Sequence, residues 1–275
     1  MISPPQEDRI ALADLLAFYA EAGVDEPLEE AGVDRFKASA ARASAPIPEP
    51  ALPVQGRAAP PPSTRPAPQA AVPDEAQAAL ARELAARAQT LDELRDIMQS
   101  FEGCNLKLTA KQLVFADGNP QSDLMLVGEA PGRDEDIEGL PFVGRSGQLL
   151  DRILAAIGRD RTSAYIANVI PWRPPGNRTP TPHETEICRP FIERQIELVS
   201  PKVLVTLGGP SAKTLLNTTD GILRLRGNWK LHATGSGLAI PTMPTLHPAY
   251  LLRNPAHKKL AWRDFLEVRK RLADG

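Results

Sequence analysis

The chain has 275 residues and a formal net charge of −2 at pH 7, which is enough length for one sizeable domain plus an appendage. Its two cysteines, Cys104 and Cys188, exclude a disulfide-stabilised scaffold and are typical of a reducing compartment. Because no apolar run approaches the ~20 residues that span a bilayer, we expect a cytoplasmic protein without membrane association.

Charge is distributed unevenly along the chain. Residues 1–100 contain 9 Lys and Arg against 16 Asp and Glu, whereas residues 101–275 contain 23 against 18. The basic excess is concentrated after residue 170, where the counts are 16 and 8. This pattern suits a nucleic-acid-binding surface in the C-terminal half, although an ordinary charged surface would give the same counts.

The N-terminal part divides into two predicted segments. Within residues 1–38, apolar side chains at near-helical spacing over 8–31 predict one short amphipathic helix. Residues 39–73 are rich in Ala and Pro and have few large apolar side chains, so they are predicted to be a disordered linker. The helix is expected either to dock a replication or repair protein or to fold back on the domain, and both alternatives stay open.

Residues 74–275 are predicted to form the main domain. Residues 74–100 predict a helix with Asp74 as its cap, and residues 103–119 predict a small hairpin or loop. Four strands are predicted at 123–128, 164–170, 202–207 and 239–246, and helices at 146–158, 183–199, 210–217 and 256–272. This alternation predicts an α/β fold with three α/β/α layers around a central, mainly parallel four-stranded sheet.

The loop after the first predicted strand is the most informative one. Residues 128–144 read GEAPGRDEDIEGLPFVG and include Glu129, Glu135 and Phe142. Open α/β sheets bind ligands at the carboxyl ends of their strands, so these carboxylates and this ring are candidates for a ligand site. Alternatively the acids cap the following helix and Phe142 packs in the core.

Two further loops carry polar side chains. Asn168 lies within the apolar run AYIANVI, where a buried amide needs hydrogen-bond partners. In a functional interpretation, the amide presents a donor and an acceptor to the edge of a bound base. It could then pair with both N3–H and O4 of uracil, whereas cytosine has the opposite arrangement of donor and acceptor. The loop RPPGNRTP presents Arg173, Asn177 and Arg178, which are candidates for phosphate contacts. A structural hydrogen bond and a solvated surface loop are the respective alternatives.

The loop after the last predicted strand reads HPAYLLR, from His247 to Arg253. A histidine at a strand end is more often structural than catalytic. Here, however, Leu251 and Leu252 stand beside Arg253, a combination typical of an apolar wedge inserted into a duplex next to a phosphate contact.

Taken together, the ordered motifs GEAPGxxEDxxGxPFVG, NVxxxRPPxNRxP and HPxxLLR resemble the family 4 uracil-DNA glycosylases, within the uracil-DNA glycosylase superfamily. The resemblance spans roughly residues 101–270 and includes PKVLVTLG and the pair Arg226-Gly227. It implies a monomeric DNA-repair enzyme that flips uracil out of DNA and hydrolyses its N-glycosidic bond.

The resemblance also implies roles for individual residues. Uracil would be bound by Gly128, Glu135, Phe142 and Asn168. The catalytic residues would be Glu129 and His247. Phe142 would stack on the base, Asn168 would read its N3 and O4 edge, and His247 would hydrogen-bond O2. Glu129 would lie near the sugar and the attacking water. Glu135 would help to exclude the C5 methyl of thymine.

One departure from the family concerns its 4Fe-4S cluster, which is held by four cysteines. This chain has Cys104 and Cys188 at the second and fourth positions, with Phe101 and Trp172 at the first and third. Two thiolates cannot supply a four-cysteine site. We therefore expect an apolar plug of these four side chains in place of the cluster, and no metal or other cofactor.

Two other functions remain open from the sequence. One is a glycosylase for another deaminated base such as hypoxanthine or xanthine, which the presence of Asn168 and Phe142 disfavours. The other is a catalytically inactive DNA damage-binding module, which the intact acidic loop and His247 disfavour.

Overall fold

The computed structural model describes residues 74–274. The helix and linker expected within residues 1–73 lie outside this part of the chain. The helices are α1 (Asp74–Arg87), α2 (Leu91–Ser100), α3 (Arg133–Glu138), α4 (Arg145–Ala156), α5 (Pro182–Val199), α6 (Gly209–Leu216), α7 (Ile222–Leu225), α8 (Pro248–Arg253) and α9 (Lys258–Asp274). The strands are β1 (Asp117–Gly118), β2 (Leu124–Gly128), β3 (Tyr165–Asn168), β4 (Val203–Leu207), β5 (Lys230–Ala233) and β6 (Ala239–Thr245).

The strands form one sheet in the order β1-β3-β2-β4-β6-β5. The four inner strands are parallel and correspond to the four predicted ones, so the α/β fold with a mainly parallel sheet is confirmed. The predicted strand number was too low, because β1 and β5 add antiparallel edges. Strand β1 has two residues and β5 is mostly exposed, so neither gives the continuous apolar run that marks a buried strand.

Helices cover both faces of the sheet. Alternate side chains of β2 point to opposite faces: Met125 and Val127 join a core cluster with α1, α2 and α5, whereas Leu124 and Leu126 join a cluster with α4 and α9. These are the three expected layers. No helix in the described range 74–274 combines the length and the apolar character needed to cross a membrane.

The helix predicted over residues 74–100 is two helices. Arg194 of α5 donates to the carbonyl oxygen of Ala88 at the end of α1, at 2.7 and 2.9 Å. Thr90 then caps α2 by accepting the N–H of Glu93 at 3.1 Å. The break depends on a partner 106 residues away, which explains why local periodicity did not indicate it. Helices α3, α7 and α8 were also not predicted, and the segment of α8 was expected to be a loop, because each of these helices has six residues or fewer.

Candidate active site

A cavity of about 500 Å³ lies at the carboxyl ends of the parallel strands. Its wall contains eight of the residues singled out in the sequence, which are Glu129, Glu135, Phe142, Asn168, Asn177, Arg178, His247 and Arg253. These side chains come from the loops after β2, β3 and β6, so the parallel sheet brings distant motifs to one place. The cavity is the natural candidate for a ligand site.

Phe142 forms part of the cavity wall in an unusual backbone conformation. Its φ is 55°, in the left-handed region that residues with a side chain rarely adopt. The ring also joins the core cluster beneath α4 and stacks near the ring of His247, with centroids 5.5 Å apart and planes at 29°. The ring is therefore mostly packed at 5% exposure, and the part of it that lines the cavity is the candidate contact for a planar ligand.

Gly128 allows Asn168 and Phe142 to approach each other at the end of β2. A Cβ atom on Gly128 would lie 2.4 Å from Oδ1 of Asn168 and 2.6 Å from Cζ of Phe142. Oδ1 of Asn168 is buried and has no hydrogen-bond partner among the described residues. An unpaired buried acceptor costs about 1–3 kcal/mol, so this atom is poised to accept an N–H from a ligand.

His247 precedes α8 as its N-cap. Its Nδ1 accepts the backbone N–H of Ala249 at 3.0 Å, so the neutral ring carries its proton on Nε2. Burial, assisted by the positive charge of Arg253, lowers the pKa of His247 to about 4. At neutral pH the residue is therefore an uncharged hydrogen-bond donor rather than an imidazolium.

Glu129 follows β2 directly and its carbonyl oxygen accepts the N–H of Ile170 at 2.9 Å, which extends the pairing of β2 with β3. The side chain lines the cavity, and burial raises the pKa of its carboxyl above the ordinary value. A carboxylate in this position can stabilise positive charge on a bound molecule or orient a water molecule.

Glu135 lines the cavity but its carboxylate is occupied by backbone groups. Oε2 accepts the N–H of Gly132, and Oε1 accepts those of Val143 and Gly144, each at 3.1 Å. The side chain thus closes the loop between β2 and α4. Glu135 stands three residues after Gly132, the N-cap of α3, which is a common helix-capping pattern.

We expect Glu135→Ala to lower the free energy of unfolding by about 2–4 kcal/mol, because three backbone N–H groups lose a charged acceptor. Urea unfolding measures the change. Glu138→Ala, at an exposed position of the same helix, is the control and should change stability by less than about 0.5 kcal/mol. Equal effects of the two substitutions would contradict the clamp.

The arginines of the loop RPPGNRTP make internal contacts. Nε of Arg173 donates to Oδ1 of Asn177 at 2.7 Å, and its guanidinium lies 3.8 Å from the buried carboxylate of Asp136. Arg178 makes a two-pronged pair with Glu184 at 2.9 and 2.6 Å, and lies at the cavity rim. These contacts fix the loop, and the side chain of Arg178 remains 44% exposed.

The two leucines of the predicted wedge lie in different environments. Leu251 is 1% exposed and packs against Leu246 and Ala261, whereas Leu252 is 36% exposed. Arg253 lines the cavity next to them. Leu252 and Arg253 therefore offer surface to a macromolecule, and Leu251 anchors α8 to the core.

The four positions that correspond to the cluster cysteines of the family pack together in the core, on the face of the sheet opposite α4. They are Phe101, Cys104, Trp172 and Cys188. The rings of Phe101 and Trp172 are stacked with centroids 6.4 Å apart, and the two Sγ atoms are 3.8 Å apart. The chain contains no other cysteine, so the residues present do not fit a cluster held by four thiolates.

The loop after β4 was not predicted to be part of the site. Gly208 has φ 101°, and a Cβ atom there would lie 3.1 Å from Cβ of His247. Gly208, Gly209 and Pro210 all line the cavity. The signal was present, since a buried strand followed by two glycines resembles the first loop.

Comparisons with known proteins show the family of the chain. The family model described as the uracil DNA glycosylase superfamily matches residues 115–266. A type-4 uracil-DNA glycosylase of Saccharolobus solfataricus is 37% identical over 191 residues, covering 66% of this chain and 87% of the relative. One of Thermotoga maritima is 41% identical over 177 residues, covering 62% and 88%. One of Archaeoglobus fulgidus is 38% identical over 185 residues, covering 66% and 92%.

Proposed function

Because the chain belongs to the uracil DNA glycosylase superfamily, we propose that it is an enzyme of DNA repair that excises uracil from DNA. It flips the base out of the helix and hydrolyses the N-glycosidic bond, which leaves an abasic site. The observation that carries this proposal is the unpaired Oδ1 of Asn168, buried in the cavity wall beside the ring of Phe142.

Base recognition follows from these two side chains and Gly128. Phe142 stacks on the flipped base, while Asn168 accepts the N3–H of uracil through Oδ1 and donates to O4 through Nδ2. Cytosine has an acceptor at N3 and a donor at N4, so the same amide orientation rejects it. Glu135 shapes this pocket by closing the loop that carries Phe142.

His247 and Glu129 promote cleavage of the N-glycosidic bond. As the glycosidic bond breaks, negative charge develops on uracil O2, and Nε2–H of His247 donates to it; one such donor is worth about 3–4 kcal/mol in the transition state. Glu129 stabilises the positive charge on the sugar and orients the attacking water. Both side chains line the same cavity, which supports this division of roles.

DNA contacts are proposed at the cavity rim. The loop that presents Arg173, Asn177 and Arg178 to phosphates is already fixed, so little conformational entropy is lost on binding. Leu252 enters the space left by the flipped nucleotide, and Arg253 contacts a neighbouring phosphate. Leu251 contributes by holding α8 in place.

The enzyme works without a 4Fe-4S cluster in this proposal. The support is the donor set of two thiols and the aromatic packing of Phe101 against Trp172. Iron and sulfide analysis of anaerobically purified protein, with absorption near 400 nm, tests it. Stoichiometric iron and sulfide would refute it.

The decisive test of the function uses single- and double-stranded oligonucleotides that contain uracil, hypoxanthine, xanthine or no lesion. Alkali then cleaves the abasic sites that the protein has produced. Strand cleavage that requires uracil supports the proposal. Cleavage only at hypoxanthine or xanthine would indicate another base specificity, and binding without any cleavage would indicate a damage-binding module.

The remaining parts of the chain have separate proposed roles. Residues 74–275 form the catalytic domain and act as a monomer in the cytoplasm, associating with the nucleoid during repair. Residues 1–38, on the linker 39–73, contact a replication or repair protein. Deleting residues 1–73 should leave uracil excision unchanged, and unchanged partner binding and localisation would refute the docking role.

The excision rate should be constant as the pH falls through about 6.5, where an ordinary histidine titrates, because His247 has a pKa of about 4. As the pH falls further, Glu129 is protonated before His247, because burial raises the pKa of its carboxyl. Its protonation sets the acidic limb of the pH–rate profile, and Glu129→Gln should abolish that limb. Single-turnover rates between about pH 4.5 and 8 measure this. An inflection near 6.5 that disappears in His247→Gln would contradict it.

The same depressed pKa of His247 affects folding. Between the folded value of about 4 and the unfolded value of about 6.5, the unfolded chain binds the extra proton. The contribution of His247 to stability is therefore complete above the unfolded value and is lost as the pH falls towards 4.

A further inference from the structure

Arg161 binds the backbone of the loop that presents Phe142. It lies between α4 and β3 and donates to the carbonyl oxygen of Pro141 at 3.1 Å and to that of Phe142. Its guanidinium also pairs with Asp117 at 2.5 Å and with Asp151 at 2.8 Å. None of the motifs shared with the glycosylases contains this residue, and it does not line the cavity.

The backbone at Phe142 needs such support. Its φ of 55° is strained for a residue with a side chain, so the surrounding structure has to hold it in place. The carbonyl group points towards Gly147, where a Cβ atom would come within 1.6 Å of the oxygen. Gly147 therefore leaves the space for this carbonyl, and the guanidinium of Arg161 satisfies it.

The backbone conformation determines where the aromatic ring stands. If the carbonyl groups of residues 141 and 142 lose their donor, Phe142 can relax to a negative φ, which would turn its ring away from Asn168 and His247. Two carboxylates also hold the guanidinium: Nη1 donates to Asp117 of β1, and Nε donates to Asp151 of α4. Arg161 thus connects the loop to β1 and to α4.

We propose that Arg161 is a positioning residue that fixes Phe142 as the stacking platform for the flipped base. The inference rests on the proposed uracil excision and deepens it, because it identifies a side chain outside the cavity on which capture of the base by Phe142 depends. Loss of Arg161 should weaken capture of the base without changing contacts to the DNA backbone.

The test compares Arg161→Gln with Arg159→Gln. Arg159 lies in the same loop, pairs with Asp123 through two bonds of 2.9 and 3.0 Å, and is equally exposed at 26%. It makes no hydrogen bond to Pro141 or Phe142 among those found in the described residues. Arg161→Gln should lower kcat/KM for uracil excision about tenfold or more, as expected for a lost base stack, whereas Arg159→Gln should change it less than about twofold.

Two measurements separate positioning from a general loss of structure. The affinity for DNA that already contains an abasic site should be unchanged in Arg161→Gln, since that DNA has no base to stack. In a Phe142→Ala background, Arg161→Gln should have no further effect on kcat/KM, because the side chain it positions is gone. Additive losses in the double variant, or equal losses in the two arginine variants, would overturn the inference.

A milder variant guards against misfolding of Arg161→Gln. Asp151→Asn removes the negative charge that pairs with the guanidinium at a half-exposed position, and it should reduce kcat/KM in the same direction by a smaller factor. No change in a folded Asp151→Asn together with an unfolded Arg161→Gln would count against the inference. A wild-type protein that excises no uracil would overturn the proposed function, and this inference with it.

Discussion

Asn168→Ala should reduce uracil excision about 100-fold or more while leaving the folded state as stable as before or more stable. The amide is proposed to make both hydrogen bonds that read the base, so its loss removes the main source of specificity. Its Oδ1 has no hydrogen-bond partner within residues 74–274, so truncation breaks no hydrogen bond to that atom there. Removing an unpaired buried acceptor can raise the free energy of unfolding by about 1 kcal/mol, against the cost of the small cavity left.

Thr206→Val is the matched control for that prediction. Oγ1 of Thr206 is also buried and has no hydrogen-bond partner in the described part of the chain, but Thr206 does not line the cavity. The substitution keeps the shape of the side chain and replaces the hydroxyl by a methyl group. The free energy of unfolding should therefore rise, and uracil excision should be unchanged. Single-turnover kinetics and urea unfolding measure both variants. A destabilised Asn168→Ala with normal activity would assign the amide a structural role.

His247→Ala should lower kcat about 100- to 1,000-fold with little change in KM, because its Nε2–H is proposed to act on charge that appears only as the bond breaks. The hydrogen bond from Ala249 to Nδ1 keeps this N–H directed away from α8. Since the ring is neutral at pH 7, the loss should be the same at pH 6 and pH 8.

His183→Ala serves as the control for His247→Ala, since His183 lies near the start of α5 and does not line the cavity. It should leave kcat within about twofold of the wild type. A large increase in KM with an unchanged kcat in His247→Ala would show that the histidine binds the ground state and the transition state equally.

Much of the fold followed from local patterns. The four inner strands were predicted to within about two residues. Strands β2, β3 and β4 are mostly apolar and wholly buried, which is typical of parallel strands covered on both faces, whereas β6 also contains Pro and Thr. The edge strands β1 and β5 and the division of the first helix at Ala88 were not predicted, since they depend on pairing with β3 and β6 and on Arg194.

The candidate site shows the same division. The sequence by itself determined which residues meet, because parallel strands deliver Glu129, Asn168 and His247 to one edge of the sheet. Only the tertiary structure decided what each can do: the tautomer of His247, the unpaired oxygen of Asn168 and the three amides held by Glu135. Periodicity and motifs specify backbone direction and side-chain type, whereas hydrogen-bond partners, burial and pKa depend on atoms that packing brings from elsewhere in the chain.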